Sequence, residues 1–206
     1  MKHIHFMELI GAFLTGVVGP VLYLIVNKVI LKRNDNKRDK VRESLLDIST
    51  IDNELEDIRE EFKSDRVWIA QFHNGGSFYP TGKSIQKFSI FYEVDKTGVS
   101  KIASTFNNIP CSLYPKTFDH LGNGDGIYIP DYNNPKIPTF GLKSAAASVG
   151  TKSVYIIPLF TFDGKFLGGI GMDYVNRKKK LSKDDWEHFQ IKAGRISGYL
   201  SSYLHK

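Results

Sequence analysis

Residues 153–174, SVYIIPLFTFDGKFLGGIGMDY, carry the strongest structural signals in the chain. Residues 154–160 are β-branched, aromatic or apolar at nearly every position, so the run predicts a strand buried on both faces. Asp163-Gly164, set between two apolar runs, is a strong hairpin signal, because a tight turn there needs positive φ. Phe166, Ile170, Met172 and Tyr174 follow at even spacings, which places them on one face of a second strand. Gly168, Gly169 and Gly171 leave room for another backbone, a helix or a ligand to come close. A β-hairpin therefore anchors the chain.

On its C-terminal side, residues 183–204 predict a helix. Ser182 is a natural N-cap, with Asp185 three residues on in a capping-box-like arrangement. Trp186, Phe189, Ala193, Ile196, Leu200 and Leu204 form its apolar stripe, and Gly194 and Gly198 open a groove for a second helix. Upstream, residues 66–72 (RVWIAQF) predict a buried strand that ends at His73-Asn74-Gly75-Gly76. Residues 84–94 predict another strand, with Ile85, Lys87, Ser89 and Phe91 opposite Gln86, Phe88, Ile90 and Tyr92. Residues 95–98 read as a turn and 102–109 as a short helix or loop. Residues 113–122 read as a helix, 122–126 (GNGDG) as loop, and 126–130 as a short strand leading into an Asp131 to Pro135 turn. Leu142, Ala145, Ala146 and Val149 mark a small-residue helix in residues 140–149.

The chain has 206 residues, 41% of them hydrophobic and 13% aromatic, enough for one ordinary domain plus an appendage. A lone cysteine, Cys111, excludes an intrachain disulfide framework and a multi-cysteine zinc site. The net charge of +6 is concentrated in one segment. Residues 28–42 hold seven Lys/Arg (Lys28, Lys32, Arg33, Lys37, Arg38, Lys40, Arg42) against Asp35 and Asp39, whereas residues 43–206 hold 20 against 19 acids. That distribution argues against a general nucleic-acid-binding face, and no nucleic-acid partner is expected.

Behind a short tail (residues 1–8), residues 9–26 (LIGAFLTGVVGPVLYLIV) form an uncharged run of 18 residues. With Val29-Ile30-Leu31 beyond a snorkelling Lys28, residues 9–31 predict a single transmembrane helix. A buried core helix or a cleaved signal peptide are the alternatives. The signal peptide fits badly, because the cationic flank lies behind the run and no small-residue cleavage site succeeds it. Lys28, Lys32, Arg33, Lys37 and Arg38 flank the span and place the C-terminal part of the chain in the cytoplasm. Residues 32–64 then read as a basic juxtamembrane segment and an amphipathic stalk. Val41, Leu45, Ile48, Ile51, Leu55, Ile58 and Phe62 form a near-heptad stripe. The stripe fits either a helix packed on its own domain or a short coiled coil. A helix leaving a membrane span favours the coiled coil, hence a homodimer or higher homo-oligomer.

The order of elements, with several local strings, resembles a GAF domain, one of the small-molecule-sensing and dimerisation modules related to PAS. The strings are Tyr128-Ile129-Pro130-Asp131 with Asn133-Asn134-Pro135, the Ser153 to Phe160 run with Asp163-Gly164 and Leu167-Gly168-Gly169-Ile170-Gly171, and Asn176-Arg177 with Leu181-Ser182 and Asp184-Asp185. The resemblance covers about residues 40–204, best from Gly126 onward. Lys178, Lys179 and Lys180 interrupt its last string. His73-Asn74-Gly75-Gly76 and the Phe78 to Tyr92 stretch resemble a subgroup found in small membrane-anchored proteins, phage-encoded ones included. The resemblance implies an α+β domain over residues 65–206: an antiparallel sheet of five or six strands, first and last helices on one face, and a ligand pocket on the other. Family ligands include cyclic nucleotides, tetrapyrroles, amino acids and small metabolites, and many members only dimerise. Bilin attachment in the family pairs its cysteine with a following His, but Ser112 follows Cys111; the methionine sulfoxide reductase branch needs more cysteines.

Six residues are candidates for the polar lining of such a pocket: His73, Asn74, Lys87, Ser89, Tyr128 and Asp131. Each has a plainer reading. His73 and Asn74 lack an evident nucleophile, and Asn74 fits a turn closed by Gly75-Gly76. Asp131 fits an Asx turn with Asn133. Gly122 to Gly126 lacks the Lys-Ser/Thr of a P-loop, and no metal-ligand spacing or hydrolase motif is present. The sequence thus leads to a membrane-anchored, non-enzymatic regulatory module with a small-molecule or protein partner, and with no cofactor or metal expected. A structural or lytic phage-type protein, using the fold only for assembly, is the alternative.

Overall fold

A computed structural model of the chain describes residue 16, residues 18–35 and residues 40–204. The first helix, α1, runs over Gly19–Asp35, so it holds the second half of the apolar run. Residues 9–15 and 17 lie outside the described residues, as do 36–39. Among the described residues no helix is long and apolar enough to cross a membrane. Large apolar side chains of α1, among them Leu22, Tyr23, Leu24 and Val29, are more than half exposed.

A second compact unit begins at Asp47, within α2 (Lys40–Glu61). Its centre is a six-stranded antiparallel sheet in the order β3-β2-β1-β6-β5-β4. The strands are β1 (Arg66–Ser77), β2 (Ser84–Asp95), β3 (Ile109–Pro110), β4 (Ile127–Ile129), β5 (Ser153–Phe160) and β6 (Phe166–Tyr174). The β5–β6 hairpin stands where the sequence places it, with Gly164 at φ 78° in the turn. It packs in mid-sheet, with β6 on β1 and β5 on β4.

Both faces of the sheet are covered. On one lie α2 and α5 (Lys183–Leu204), burying Ile51, Leu55, Ile58, Phe189, Ala193, Ile196 and Leu200 against Tyr155, Ile157, Ile170, Met172 and Tyr174. Each such aliphatic side chain contributes about 1.5–3 kcal/mol. Glu61 meets Lys192 at 2.9 Å, and Phe62 sits edge-on to Phe189. The stalk stripe from Ile51 onward is therefore packed inside its own domain, which corrects the coiled-coil expectation for that part of the helix. Nor does α2 use the glycine groove: a side chain at Gly194 would meet nothing within 4 Å, and Gly198 faces the Phe162 ring. Ser182 and Asp185 cap α5 reciprocally, at 3.0 and 3.1 Å, as the sequence implies.

Two register shifts move residues off the faces that simple alternation assigns them. A shift between Ile69 and Ala70 of β1 leaves Phe91 of β2 exposed and turns Tyr92 to the helix-covered face, away from Phe88 and Ile90. A second, between Leu159 and Phe160, separates Phe166 from Ile170, Met172 and Tyr174. A bulge inserts one residue, and a period of two then inverts everything beyond it. β1 also runs on through Ser77 rather than ending at Phe72.

Candidate functional site

The other face of the sheet carries two short helices, α3 (Pro115–Gly122) and α4 (Lys143–Ser148), with the loop from Lys96 to Asn108. Between this cover and the sheet lies a cavity of about 90 Å³. Its floor is Trp68 and Ala70 of β1, Phe88 and Ile90 of β2, Val154 and Ile156 of β5, and Gly169 and Asp173 of β6. Its roof comes from helical repeats. Tyr114, Thr117, Phe118 and Leu121 recur at the three-four spacing along α3, and Leu142, Ala145, Ala146 and Val149 repeat that spacing along α4. Ile102, Phe106 and Tyr132 close the sides. The Thr117 hydroxyl donates to the Phe140 carbonyl at 2.8 Å and so ties α3 to the turn before α4.

The glycines of β6 give the floor its shape. Gly168 sits at φ 144°, and a Cβ there would lie 2.0 Å from the Ala70 carbonyl oxygen; one at Gly171 would lie within 2.1 Å of the Trp68 ring. The room that the glycines leave is thus filled by the β1 backbone and by an indole, while Gly169 faces the cavity.

At one end the apolar lining gives way to a buried polar cluster. Asp173, 2% exposed, accepts from Arg66 Nη2 (2.9 Å), the Thr151 hydroxyl (3.0 Å) and Trp68 Nε1 (3.2 Å). Arg66 also donates to the carbonyl oxygens of Ser100 and Val149, fastening two cover segments to the sheet. Its Nε is buried with no partner among the described residues. Burial pushes the Asp173 carboxyl above the usual carboxylate range, and Arg66, Trp68 and Thr151 work against that push. Beside this cluster Tyr132 is 8% exposed. Burial, aided by the nearby Asp173 charge, raises its phenol above the ordinary tyrosine value and keeps it protonated. Its hydroxyl has no hydrogen-bond partner among the described residues.

None of the six sequence candidates lines this cavity. His73 Nε2 lies 2.9 Å from the Ser89 hydroxyl, which also donates to Asn107 Oδ1 (3.0 Å) and accepts from the Asn108 N–H (2.8 Å). With the serine's one hydrogen given to Asn107, His73 Nε2 is the donor in this contact. Ser89 is 2% exposed and its bonding capacity is filled, so the pair is a structural clip rather than a nucleophile and base. Asn74 Oδ1 accepts from the Gly76 N–H and the Ser84 hydroxyl in an exposed turn. The Lys87 side chain lies over Gly75. Tyr128 belongs to the opposite face, where its hydroxyl donates to the Leu181 carbonyl at 2.6 Å. Asp131 forms the Asx turn with Asn133 (2.9 Å) and pairs with Lys178 at 2.7 Å. Of the basic flank, Lys28 lies on α1 and is exposed; the side chains of Lys32 and Arg33, and all of Lys37 and Arg38, fall outside the described residues. Among the described residues no group of His, Cys, Asp and Glu is placed to hold a metal ion.

No family model matches the chain and no curated protein is similar to it in sequence. Solved structures are similar in fold. The phycocyanobilin-bound GAF domain of a cyanobacterial phytochrome shares 18% identity with a TM-score of 0.61, over 85% of this chain and 94% of that one. The blue-light-absorbing form of the Thermosynechococcus elongatus PixJ GAF domain shares 14% with a TM-score of 0.60, over 82% and 90%. A far-red-absorbing dark state with bound biliverdin IXα shares 13% with a TM-score of 0.58, over 80% and 99%. The six-stranded antiparallel sheet with its flanking helices is therefore GAF-like.

Proposed function

We propose that the chain is a membrane-tethered regulatory module that binds a small molecule in the cavity between its sheet and α3 and α4, without turning it over. The observation that carries this reading is the cavity: a GAF-like sheet face is held off its cover, walled by aromatic rings, and ends at the buried Arg66–Asp173 cluster. Pockets of this make, apolar with a few polar groups, are the usual form of small-molecule sites. Two of the structures similar in fold hold a bilin, phycocyanobilin in one and biliverdin IXα in the other, which supports a small-molecule ligand for this chain; neither the cavity volume nor Ser112 after Cys111 favours a bilin here. The filled bonding of Ser89 supports the non-enzymatic reading.

The tether rests on the apolar run of residues 9–31, its cationic flank, and the bare apolar side chains of α1, which need a non-aqueous neighbour. It places the GAF-like domain on the cytoplasmic side. Self-association through α2 has only the part of the stripe before Ile51 to use, where Leu45 is 60% exposed. Ligand binding then biases the docking of the cover segments that Arg66 fastens, and with them the protein surface offered to a partner. Native mass spectrometry of the full chain released from detergent tests this. A co-purified small mass is expected on the wild type and not on Ala146→Phe, which fills the cavity; the same bare mass for both overturns it.

A further inference from the structure

A second space lies away from the cavity, where α2 ends beside the segments that follow β2 and β6. It is a polar cleft of about 530 Å³, within the range that small-molecule sites occupy. Arg59, Glu60 and Lys63 border it from the end of α2, Lys96 from the turn after β2, and Asn176 and Arg177 from the loop after β6. Ser64 and Asp65, 1% and 5% exposed, border it where the chain enters β1, and the Ser64 hydroxyl is buried with no partner among the described residues. Four cations thus meet two acids, and both acids are engaged. Asp65 accepts from the N–H groups of Val175 (2.7 Å) and Asn176 (2.9 Å) and from Asn176 Nδ2 (3.2 Å). Glu60 lies 3.6 Å from Arg59. Lys63, Lys96 and Arg177 are exposed and form no ion pair among the described residues. Arg177 spends one donor, Nη2, on the Lys63 carbonyl at 3.1 Å, which ties the loop after β6 to the end of α2. Lys63 itself stands at φ 53°, a left-handed position after the helix that usually holds glycine.

We propose that this cleft is a second binding site, for a small molecule that carries a phosphate group. Three unpaired cations from three separate segments call for an anion with more than one negative charge and acceptors on several sides. A phosphate monoester carries a charge of about −1.5 to −2 and three acceptor oxygens, whereas a carboxylate carries a single charge. The Arg177 guanidinium has the fork geometry that meets phosphate oxygens in pairs, and Lys63 and Lys96 add point charges. These cations keep water around them, so the anion is not burdened with the desolvation of a buried pair. The cleft is larger than a lone ion needs, which leaves room for the rest of the ester. This site is independent of the cavity, whose lining includes no lysine, arginine or histidine.

The test is calorimetric titration of the full chain, in phosphatidylcholine nanodiscs, with glycerol phosphate, glycerate and glycerol. Glycerol phosphate is expected to bind saturably, glycerate about tenfold more weakly and glycerol not at all. Lys96→Gln and Arg177→Gln each weaken glycerol phosphate about tenfold, and Lys96→Arg keeps the binding. Lys136→Gln, at an exposed lysine outside the cleft, and Ala146→Phe, in the cavity, leave it unchanged. Phosphatidylinositol phosphate built into the nanodisc separates two sources of the same group. A site for soluble esters keeps its response to glycerol phosphate and a site for lipid headgroups loses it, and both results support the phosphate class. Glycerate binding as tightly as glycerol phosphate overturns that class. Equal weakening by Lys136→Gln and by the cleft variants overturns the location. No saturable response to glycerol phosphate in phosphatidylcholine nanodiscs overturns the site and leaves the reading of the cavity untouched.

Discussion

Arg66 and Asp173 show how one buried pair serves both stability and the site. Each is nearly without solvent contact, at 1% and 2% exposure, yet they carry opposite charges 2.9 Å apart at the cavity end. Burying two charges is expensive, and the attraction offsets it only because Thr151, Trp68 and two carbonyl oxygens saturate most of the remaining bonds. Removing one partner strands the other. Asp173→Ala is expected to cost about 3–5 kcal/mol in chemical denaturation, whereas Arg66→Met with Asp173→Leu costs less than either single change. Equal losses for the double and the single variants would show that the pair is not coupled. The same residues explain why the sequence candidates missed the site. Asp173 comes after Met172 inside an apolar strand, where nothing local marks it as polar lining; its meaning depends on Arg66, 107 positions earlier.

At the level of whole elements, much was legible. The β5–β6 hairpin, the α5 helix with its Ser182 cap, and the Leu142, Ala145, Ala146 and Val149 stripe all carry their signals within a few residues of sequence. That last stripe is half of the cavity roof, read as a packing surface rather than as a ligand wall. The Tyr114, Thr117, Phe118 and Leu121 spacing of α3 was an equally clear signal and would have given the other half. Bulges were not legible, because a register shift is a property of two paired strands and depends on the partner as well as on the bulged strand. Two such shifts are why Tyr92 and Phe166 lie on faces opposite to those expected. The β6 glycines were legible as open space but not as to what fills it. Gly168→Ala forces a Cβ to 2.0 Å from the Ala70 oxygen in a left-handed backbone, and is expected to destabilise the domain by at least ~2 kcal/mol. Gly194→Ala, in the interior of α5 with nothing within 4 Å, is expected to stabilise it by about 0.5–1 kcal/mol. Thermal unfolding of the two variants side by side checks the pair of signs.

For the molecule as a whole, the sheet divides two tasks between its faces. The α2 and α5 face is closed, aromatic and ion-paired at its rim, and it makes a stable platform. The opposite face is capped by two short helices and a loop, tied down by Thr117 and by Arg66, and it encloses the apolar space. The site escaped the sequence because it is assembled from four strands, two helices and three loops. No one segment contains enough of it to show a pattern. The ligand-binding reading depends on that space being open to small apolar guests. Crystals of the full chain under xenon pressure test it most directly, because apolar cavities of this kind take up xenon. The expected result is a xenon peak bounded by Phe88, Ile102, Leu121 and Ala146, lost in Ala146→Phe. Diffraction with no xenon on that face of the sheet, or with the side chains of α3 and α4 packed onto Phe88 and Val154, would contradict it.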